Sequence, residues 1–350
     1  MAQPKIHGRG AAENPANRFE HVAYERDADW DEPDDPRPKT QFYRDASTSI
    51  ITRNDSPDVG FTTSINPYRG CEHGCIYCYA RPYHEYLGFS AGLDFETKIV
   101  VKENAPELLR RELSSRKWKP QVLSMSGVTD CYQPIERRLQ LTRQCLQVLA
   151  EFRNPVAIVT KNLLVTRDID LLADLARDNA AAVFLSVTTL DADLARIMEP
   201  RTAQPLARLR AIRELAEAGV PVGVMVAPVI PGLTDHELPA IVHAASEAGA
   251  RFAGMVPVRL PYGVADLFEQ WLERHRPERK EKVLAQIRAI RDGKLNDGNF
   301  GSRMTGQGIF AEQLAKLFAV ACRRAGFPAR GPHLSTAAFR RPSGPQMELL

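Results

Sequence analysis

From about residue 60 onward, short runs of Val, Ile, Phe and Ala alternate with longer stretches in which apolar residues return every three or four positions. A near-continuous apolar run of four to eight residues predicts a strand buried on both faces, whereas the longer return predicts one face of a helix. Six runs read as strands: residues 62–66, 122–126, 156–160, 182–188, 222–229 and 252–258. Between them Ile135, Leu139, Thr142, Leu146 and Leu149 form one helical face, Ile169, Leu172 and Ala176 a second, and Leu206, Leu209, Ile212 and Leu215 a third. Gly219 and Gly249 stand where the preceding helices should stop, and Thr234 and Asp235, after Pro231-Gly232, are placed to cap the next one. Strands alternating with helices predict an α/β fold, a parallel sheet with helical crossovers.

The flanks read differently. Residues 1–45 are rich in Asp, Glu, Arg, Pro and Asn, with a dense acidic and Pro run at 27–38, and predict a largely disordered arm that Phe19, Tyr24 and Trp30 would pin to the body. Residues 46–262 form the predicted α/β body. Residues 263–350 form an extension with accessory helices at 264–292 and 309–325 and an irregular tail from residue 326. No internal repeat or low-complexity tract interrupts this order.

Composition narrows the class. With 44% apolar and 25% charged residues, the 350-residue chain has the make-up of a soluble globular protein with a large core, which excludes wholesale disorder. No apolar run has the length of a signal peptide or membrane span, so the expectation is a cytoplasmic protein with no membrane partner. A net charge of +3 allows an anionic substrate without being a nucleic-acid signature. Arg323, Arg324, Arg330, Arg340 and Arg341 would suit a phosphate backbone, but a scattered basic tail is ordinarily a solvated face.

Three of the six cysteines fall within eight residues, in Asn66-Pro67-Tyr68-Arg69-Gly70-Cys71-Glu72-His73-Gly74-Cys75-Ile76-Tyr77-Cys78-Tyr79. This loop follows the first predicted strand, at the end where parallel α/β barrels place their active sites. A C-x-x-x-C-x-x-C spacing lets Cys71, Cys75 and Cys78 reach three irons of a cubane and leaves one iron open for a substrate or cofactor. Three alternatives remain: a zinc site with His73 as fourth ligand, a disulfide with a spare thiol, or chance clustering. Zinc ligands normally come as two separated pairs, and a reducing compartment disfavours a disulfide.

The cysteine loop, with Tyr77 before the third cysteine and six α/β strands behind it, resembles the radical S-adenosylmethionine superfamily. Val128-Thr129-Asp130-Cys131-Tyr132-Gln133-Pro134-Ile135-Glu136 and Thr160-Lys161 resemble the branch related to spore photoproduct lyase, a DNA repair enzyme. The resemblance implies a partial (β/α)6 TIM-like barrel carrying a 4Fe-4S cluster and S-adenosylmethionine, with a reducing electron donor such as flavodoxin or ferredoxin. Reductive cleavage of the cofactor would give a 5'-deoxyadenosyl radical that abstracts hydrogen from the substrate. A DNA-repair substrate and a nucleic-acid partner are implied by the branch. RNA, a peptide or a small metabolite would use the same chemistry, and a non-catalytic iron-sulfur or zinc redox sensor is an alternative of another class.

The resemblance also assigns roles residue by residue. The Tyr77 backbone would meet the adenine. Ser126, Gly127, Thr129 and Asp130 stand where the superfamily has a Gly-Gly-Glu-like segment that touches the cofactor's amino group; one Gly and an Asp are found instead, and Asp130 would pair with the ammonium. Lys161 would serve the cofactor's carboxylate, as would Arg201, and Ser186 the ribose or carboxylate. Cys131 lies near the position from which the lyase returns a hydrogen atom to its product radical, and is the candidate catalytic thiol. Cys145 and Cys322 fall in helical patterns and read as small core residues.

Overall fold

The computed structural model describes residues 8–20 and 38–342. The run at 27–38 apart from Pro38, together with Tyr24, Trp30 and the last eight residues of the tail, lies outside the described residues. Among the described residues there are ten strands: β1 (Gln41–Arg44), β2 (Ile51–Arg53), β3 (Thr63–Ile65), β4 (Tyr68–Arg69), β5 (Lys98–Val101), β6 (Leu123–Met125), β7 (Val156–Thr160), β8 (Ala181–Ser186), β9 (Val222–Val229) and β10 (Phe252–Pro257). The larger sheet has the order β10-β9-β8-β7-β6-β3-β2. The six strands expected from the apolar runs are its parallel body, and β2 adds an antiparallel edge. Since β2 and β10 are its two ends, the sheet is open, a partial barrel rather than a closed one.

Val156, Ile158, Val183, Leu185 and Val224 are fully buried, whereas Ala157, Val159, Phe184 and Met225 on the opposite face are half-buried, so the expected burial on both faces is complete on one face only. Each fully buried side chain of this kind contributes about 1.5–3 kcal/mol relative to exposure. This apolar body fixes the strand ends, and the loops leaving β3, β6, β7 and β8 at their C-terminal ends form the polar rim described below.

Several local expectations are corrected. The face from Ile135 to Leu149 belongs to two helices, Glu136–Leu139 and Leu141–Phe152, separated by Gln140 at φ +53°. The cause is the buried Glu136 carboxylate, which accepts from the Thr142 amide at 3.1 Å and so caps the second helix with negative charge. The span 264–292 is likewise broken, into Val264–His275 and Lys280–Ala289, at Pro277. In the helix Pro205–Glu217, Leu206 points to solvent, while Arg208, Ala211, Ile212 and Leu215 face inward.

The described part of the N-terminal arm is packed, not loose. Ala11 is buried, and β1 joins β5 and β4 in a small second sheet. The tail is also fastened: Arg340 donates to the Glu151 carbonyl and Arg341 to that of Trp118, so both arginines serve packing here. No helix among the described residues is long and apolar enough to cross a membrane.

Candidate metal centre

The cysteine loop leaves β4 and closes onto the C-terminal ends of β6, β7 and β8. Gly70 and Gly74 adopt φ +77° and +66°, a left-handed conformation that favours glycine, and these two turns coil the loop. Its backbone is tied to two neighbouring segments by three bonds: the Cys71 amide donates to the Phe95 carbonyl at 2.9 Å, the Ile76 amide to that of Met198 at 3.1 Å, and the Arg201 amide to that of His73 at 3.2 Å.

Cys71 and Cys75 are buried, Cys78 is half-buried, and none of the six cysteines forms a disulfide. That removes the disulfide alternative. Burial pushes all three thiols up, so that without a cation they hold their protons. Backbone amides oppose this: that of Asp130 acts on Cys71, and those of Ala80 and Arg81 act on Cys78. Amides directed at sulfur are what thiolates of an iron-sulfur cluster receive.

Among the described residues, no three His, Cys, Asp or Glu side chains converge as a group able to hold a single metal ion. Thiolates on one zinc ion must sit within about 4 Å of one another, given Zn–S bonds of about 2.3 Å. On a cubane each takes its own iron and the sulfurs stand farther apart.

His73 is occupied as well. Asn162 Oδ1 accepts from the Leu164 amide at 3.0 Å, which fixes its Nδ2 as a donor to His73 Nε2 at 3.2 Å. Nδ1 of His73 then carries the proton and faces Asp130 Oδ2 at 3.3 Å. Both ring nitrogens are engaged, so the fourth-ligand alternative loses its ligand.

Asp130 joins the loop to two strand ends. Its Oδ1 accepts from Tyr132 N at 2.9 Å and Thr160 Oγ1 at 2.8 Å, and its Oδ2 accepts from Lys161 N at 2.8 Å as well as facing His73. Burial pushes this carboxyl up, but His73 and the amides outweigh it and hold it below the ordinary carboxylate range. With its lone pairs committed in this way, Asp130 is a clamp rather than a waiting partner for an ammonium.

The remaining candidates divide. Tyr77 is buried with its hydroxyl donating to Glu199 and 3.2 Å from Thr188 Oγ1; Arg208 closes the same buried pair with Glu199. Ser186 ends β8, and its carbonyl accepts from Arg208 at 2.9 Å. Lys161, at the end of β7, donates to the Ala227 carbonyl at 3.2 Å and lies 5.8 Å from the Tyr77 ring centroid. Burial lowers its pKa, and Cys75 among its neighbours opposes the shift, so this cation belongs to the thiol environment. Ser126, at φ +82°, accepts the Cys131 amide at 3.0 Å. Gly127 presents its carbonyl to the Tyr79 hydroxyl at 2.8 Å, and Thr129 is buried, donating to Tyr68 O. Arg201 pairs with Glu72 at 3.1 Å.

Cys131 is not brought to this group. It has no exposed surface and packs in the main apolar core with Tyr132 and Cys145, so a hydrogen-donor role has no geometric support. Cys145 lies in that core and Cys322 packs against it, as expected.

Sequence reasoning missed the second grip on the loop. Arg81 is fully buried, pairs with Glu96 at 2.5 Å, and donates to the carbonyls of Gly74 at 3.3 Å and Cys75 at 3.0 Å. Glu96 in turn accepts the amides of Gly10 at 3.0 Å and Ala11 at 2.8 Å. A Cβ on Gly10 would lie 1.8 Å from the Gly74 carbonyl oxygen, so only glycine allows the arm to lie against the loop. Gly10 and Arg81 are chemically ordinary residues whose type carries no such signal.

The family model for the Radical SAM superfamily matches residues 65–245, more than half of the chain. "Uncharacterized protein Rv2578c" of Mycobacterium tuberculosis is 39% identical over 220 residues, covering 62% of this chain and 65% of that protein. "Uncharacterized protein MJ0683" of Methanocaldococcus jannaschii is 33% identical over 173 residues, covering 49% and 62%. The chain thus spans just under two thirds of the curated relatives it matches. Among solved structures, spore photoproduct lyase complexed with dinucleoside spore photoproduct superposes with TM-score 0.59 at 16% identity, covering 81% of this chain and 78% of that one. At that identity the likeness is one of fold, a radical SAM partial barrel.

Proposed function

This chain belongs to the radical SAM superfamily, and on that premise we propose that Cys71, Cys75 and Cys78 hold a 4Fe-4S cluster with which the protein cleaves S-adenosylmethionine reductively. Held by these three thiolates, the cluster would supply the single electron for reductive cleavage of the sulfonium, the reaction that yields methionine and a 5'-deoxyadenosyl radical able to take a hydrogen atom from the substrate. A donor of the flavodoxin or ferredoxin type supplies that electron.

The carrying observation is the set of three free thiols on one coiled loop, two of them buried, met by backbone amides and bordered by the Lys161 cation. Lys161 uses one of its three protons on Ala227, and its ammonium suits the carboxylate of the cofactor. The Tyr77–Glu199–Arg208 group holds the floor of the loop against the end of β8, which keeps water and stray hydrogen donors out.

The test is anaerobic reconstitution followed by dithionite and S-adenosylmethionine. The protein should take up iron and sulfide in equal amounts and release 5'-deoxyadenosine, and Cys71→Ala, Cys75→Ala or Cys78→Ala should abolish both. A fully loaded protein that releases none defeats the reading, and retention of zinc alone would favour a non-catalytic sensor.

A further inference from the structure

The larger sheet is open between its edge strands, β10 and β2, and the C-terminal extension reaches across that gap. On the β10 side Arg291, which is fully buried, donates to the carbonyls of Pro257 at 3.0 Å and Val258 at 2.9 Å, and to those of Ser302 at 3.3 Å and Arg303 at 2.8 Å. This fixes residues 302 and 303 to the end of β10. On the other side Asp58, in the turn between β2 and β3, accepts from the Gly301 amide and from Arg303 Nε, both at 2.6 Å, while Arg303 also donates to the Ser56 hydroxyl.

The two sides of this seam are not built alike. The post on the β10 side rests on Arg291 and on Asp297, which accepts from the Asn299 amide at 2.8 Å, from Gln307 Nε2 at 3.2 Å and from the Ser302 hydroxyl. The turn that faces it, residues 54–62, contains no buried residue. It is folded on itself: Asn54 donates to the Phe61 carbonyl at 3.2 Å and accepts from the Ser56 amide at 3.0 Å, and its own amide meets the Thr62 carbonyl at 2.7 Å. From residue 55 to residue 61 the hydrogen bonds that leave the turn run, among the described residues, to Gly301 and Arg303. A segment with few buried contacts, held to its surroundings at one place, is the part of a fold that opens first.

The turn also carries a ring to the site. A Cβ built on Gly127 would stand 3.8 Å from the tip of the Phe61 ring, so this half-buried ring lies against the segment at the end of β6 whose carbonyl receives the Tyr79 hydroxyl at 2.8 Å. Val128, the next residue, packs with Cys78 against the small cluster of Cys71, Ala80 and Phe95. An outward swing of the turn therefore lifts Phe61 from the wall beside the third cysteine.

We propose that residues 54–62 are a flap on the open side of the barrel, latched shut by Asp58 on Gly301 and Arg303 with Phe61 as its plug, and that substrate reaches the cysteine loop when the flap swings out. This adds an access route to the proposed radical reaction and rests on that reading for what passes, whereas the movement itself needs no cluster.

Metal-free protein tests latch and plug separately, by deuterium exchange and by the rate at which Cys78 takes a maleimide carrying a polyethylene glycol chain, both read on peptides by mass spectrometry. Asp58→Ala should speed exchange across 54–62 and at Gly301 at least about tenfold, the worth of hydrogen bonds to a charged group, and should speed labelling of Cys78. Arg303→Gln keeps the Gly301 bond and should do both to a smaller degree. Phe61→Ala keeps the latch, so labelling should rise while exchange at Gly301 stays as it is. Exchange in β7 and β8 should match the parent in all three variants, since local opening leaves the core closed.

Parental labelling of Cys78 in both Asp58→Ala and Phe61→Ala overturns the proposal, because the seam is then a fixed wall. Faster exchange that spreads to β7 and β8 also overturns it, since Asp58 is then a general stabiliser. Parent protein that releases 5'-deoxyadenosine while the variants label at its rate keeps the radical reading and removes the flap. The expected labelling pattern in a protein that releases none does the reverse.

Discussion

The cysteine loop is gripped from two sides by different physics. On its outer side Arg81 and Glu96 form an ion pair with no exposed side-chain surface, and the remaining side-chain bonds of that pair go to backbone of the loop, of the arm and of Ala91 and Gly92. On its inner side His73, Asn162 and Asp130 form a hydrogen-bonded chain in which Asp130 keeps 11% of its side chain exposed. The difference teaches how each should fail. A fully buried pair is costly to halve because the surviving charge has no solvent, whereas a carboxylate at the edge of water can be partly rehydrated.

The largest effect therefore belongs to the outer grip. Glu96→Gln or Arg81→Met should cost about 3–5 kcal/mol, seen in urea unfolding of the metal-free protein, and should lower the iron retained after reconstitution. Replacing both, Arg81→Met with Glu96→Leu, should recover a large part of the loss because no charge is stranded. Equal losses in single and double variants would show that the pair matters for its bonds to the backbone and not for its mutual charge.

How much of this was legible follows from the same physics. The strands at 156–160 and 222–229 were readable to the residue because they are short, largely apolar runs of β-forming residues, although the structure buries one face of each fully and the other only in part. The cysteine spacing was readable because few arrangements of thiols serve a metal. The grips were not, because Arg81, Glu96, Asp130, Glu199 and Arg208 are charged, and pattern reading sends charge to solvent. Their burial is decided by partners dozens of residues away, as Glu96 is by Gly10 and Ala11. Strand β1 was hidden for the opposite reason: all four of its residues are exposed, so no apolar alternation marks it. Cys131 misled because its place in the sequence, next to Asp130, says nothing of the core into which its side chain turns.

The two grips also respond differently to pH. His84 lies on the outer side, buried between Phe89 and Phe95, and burial lowers its pKa to about 4 from an ordinary 6.5. A histidine depressed in the folded state is stabilising while neutral. Its contribution is complete above pH 6.5 and is lost as the pH falls from 6.5 to about 4. At about 1.4 kcal/mol per unit the loss approaches roughly 3 kcal/mol. Unfolding free energy of the metal-free protein should fall across this window, and His84→Phe should flatten that limb; an unchanged slope would assign the acid sensitivity elsewhere.

The smallest effect is expected at the inner grip. Asp130 is held below the ordinary carboxylate range, so its contribution is present at neutral pH and is lost only as the pH falls through that lowered value, after His84 has already charged. Asp130→Asn replaces one acceptor oxygen with a donor that must face either His73 and the Lys161 amide or Thr160 and the Tyr132 amide. The cost should be about 1–3 kcal/mol, the penalty for one unsatisfied buried partner. Its clearest sign is local: iodoacetamide should modify Cys71 faster in metal-free Asp130→Asn than in the parent, because the amide of residue 130 that faces this thiol loses its anchor. Unaltered labelling would mean that the outer grip alone holds the loop closed, and the inner chain would then serve only to orient His73.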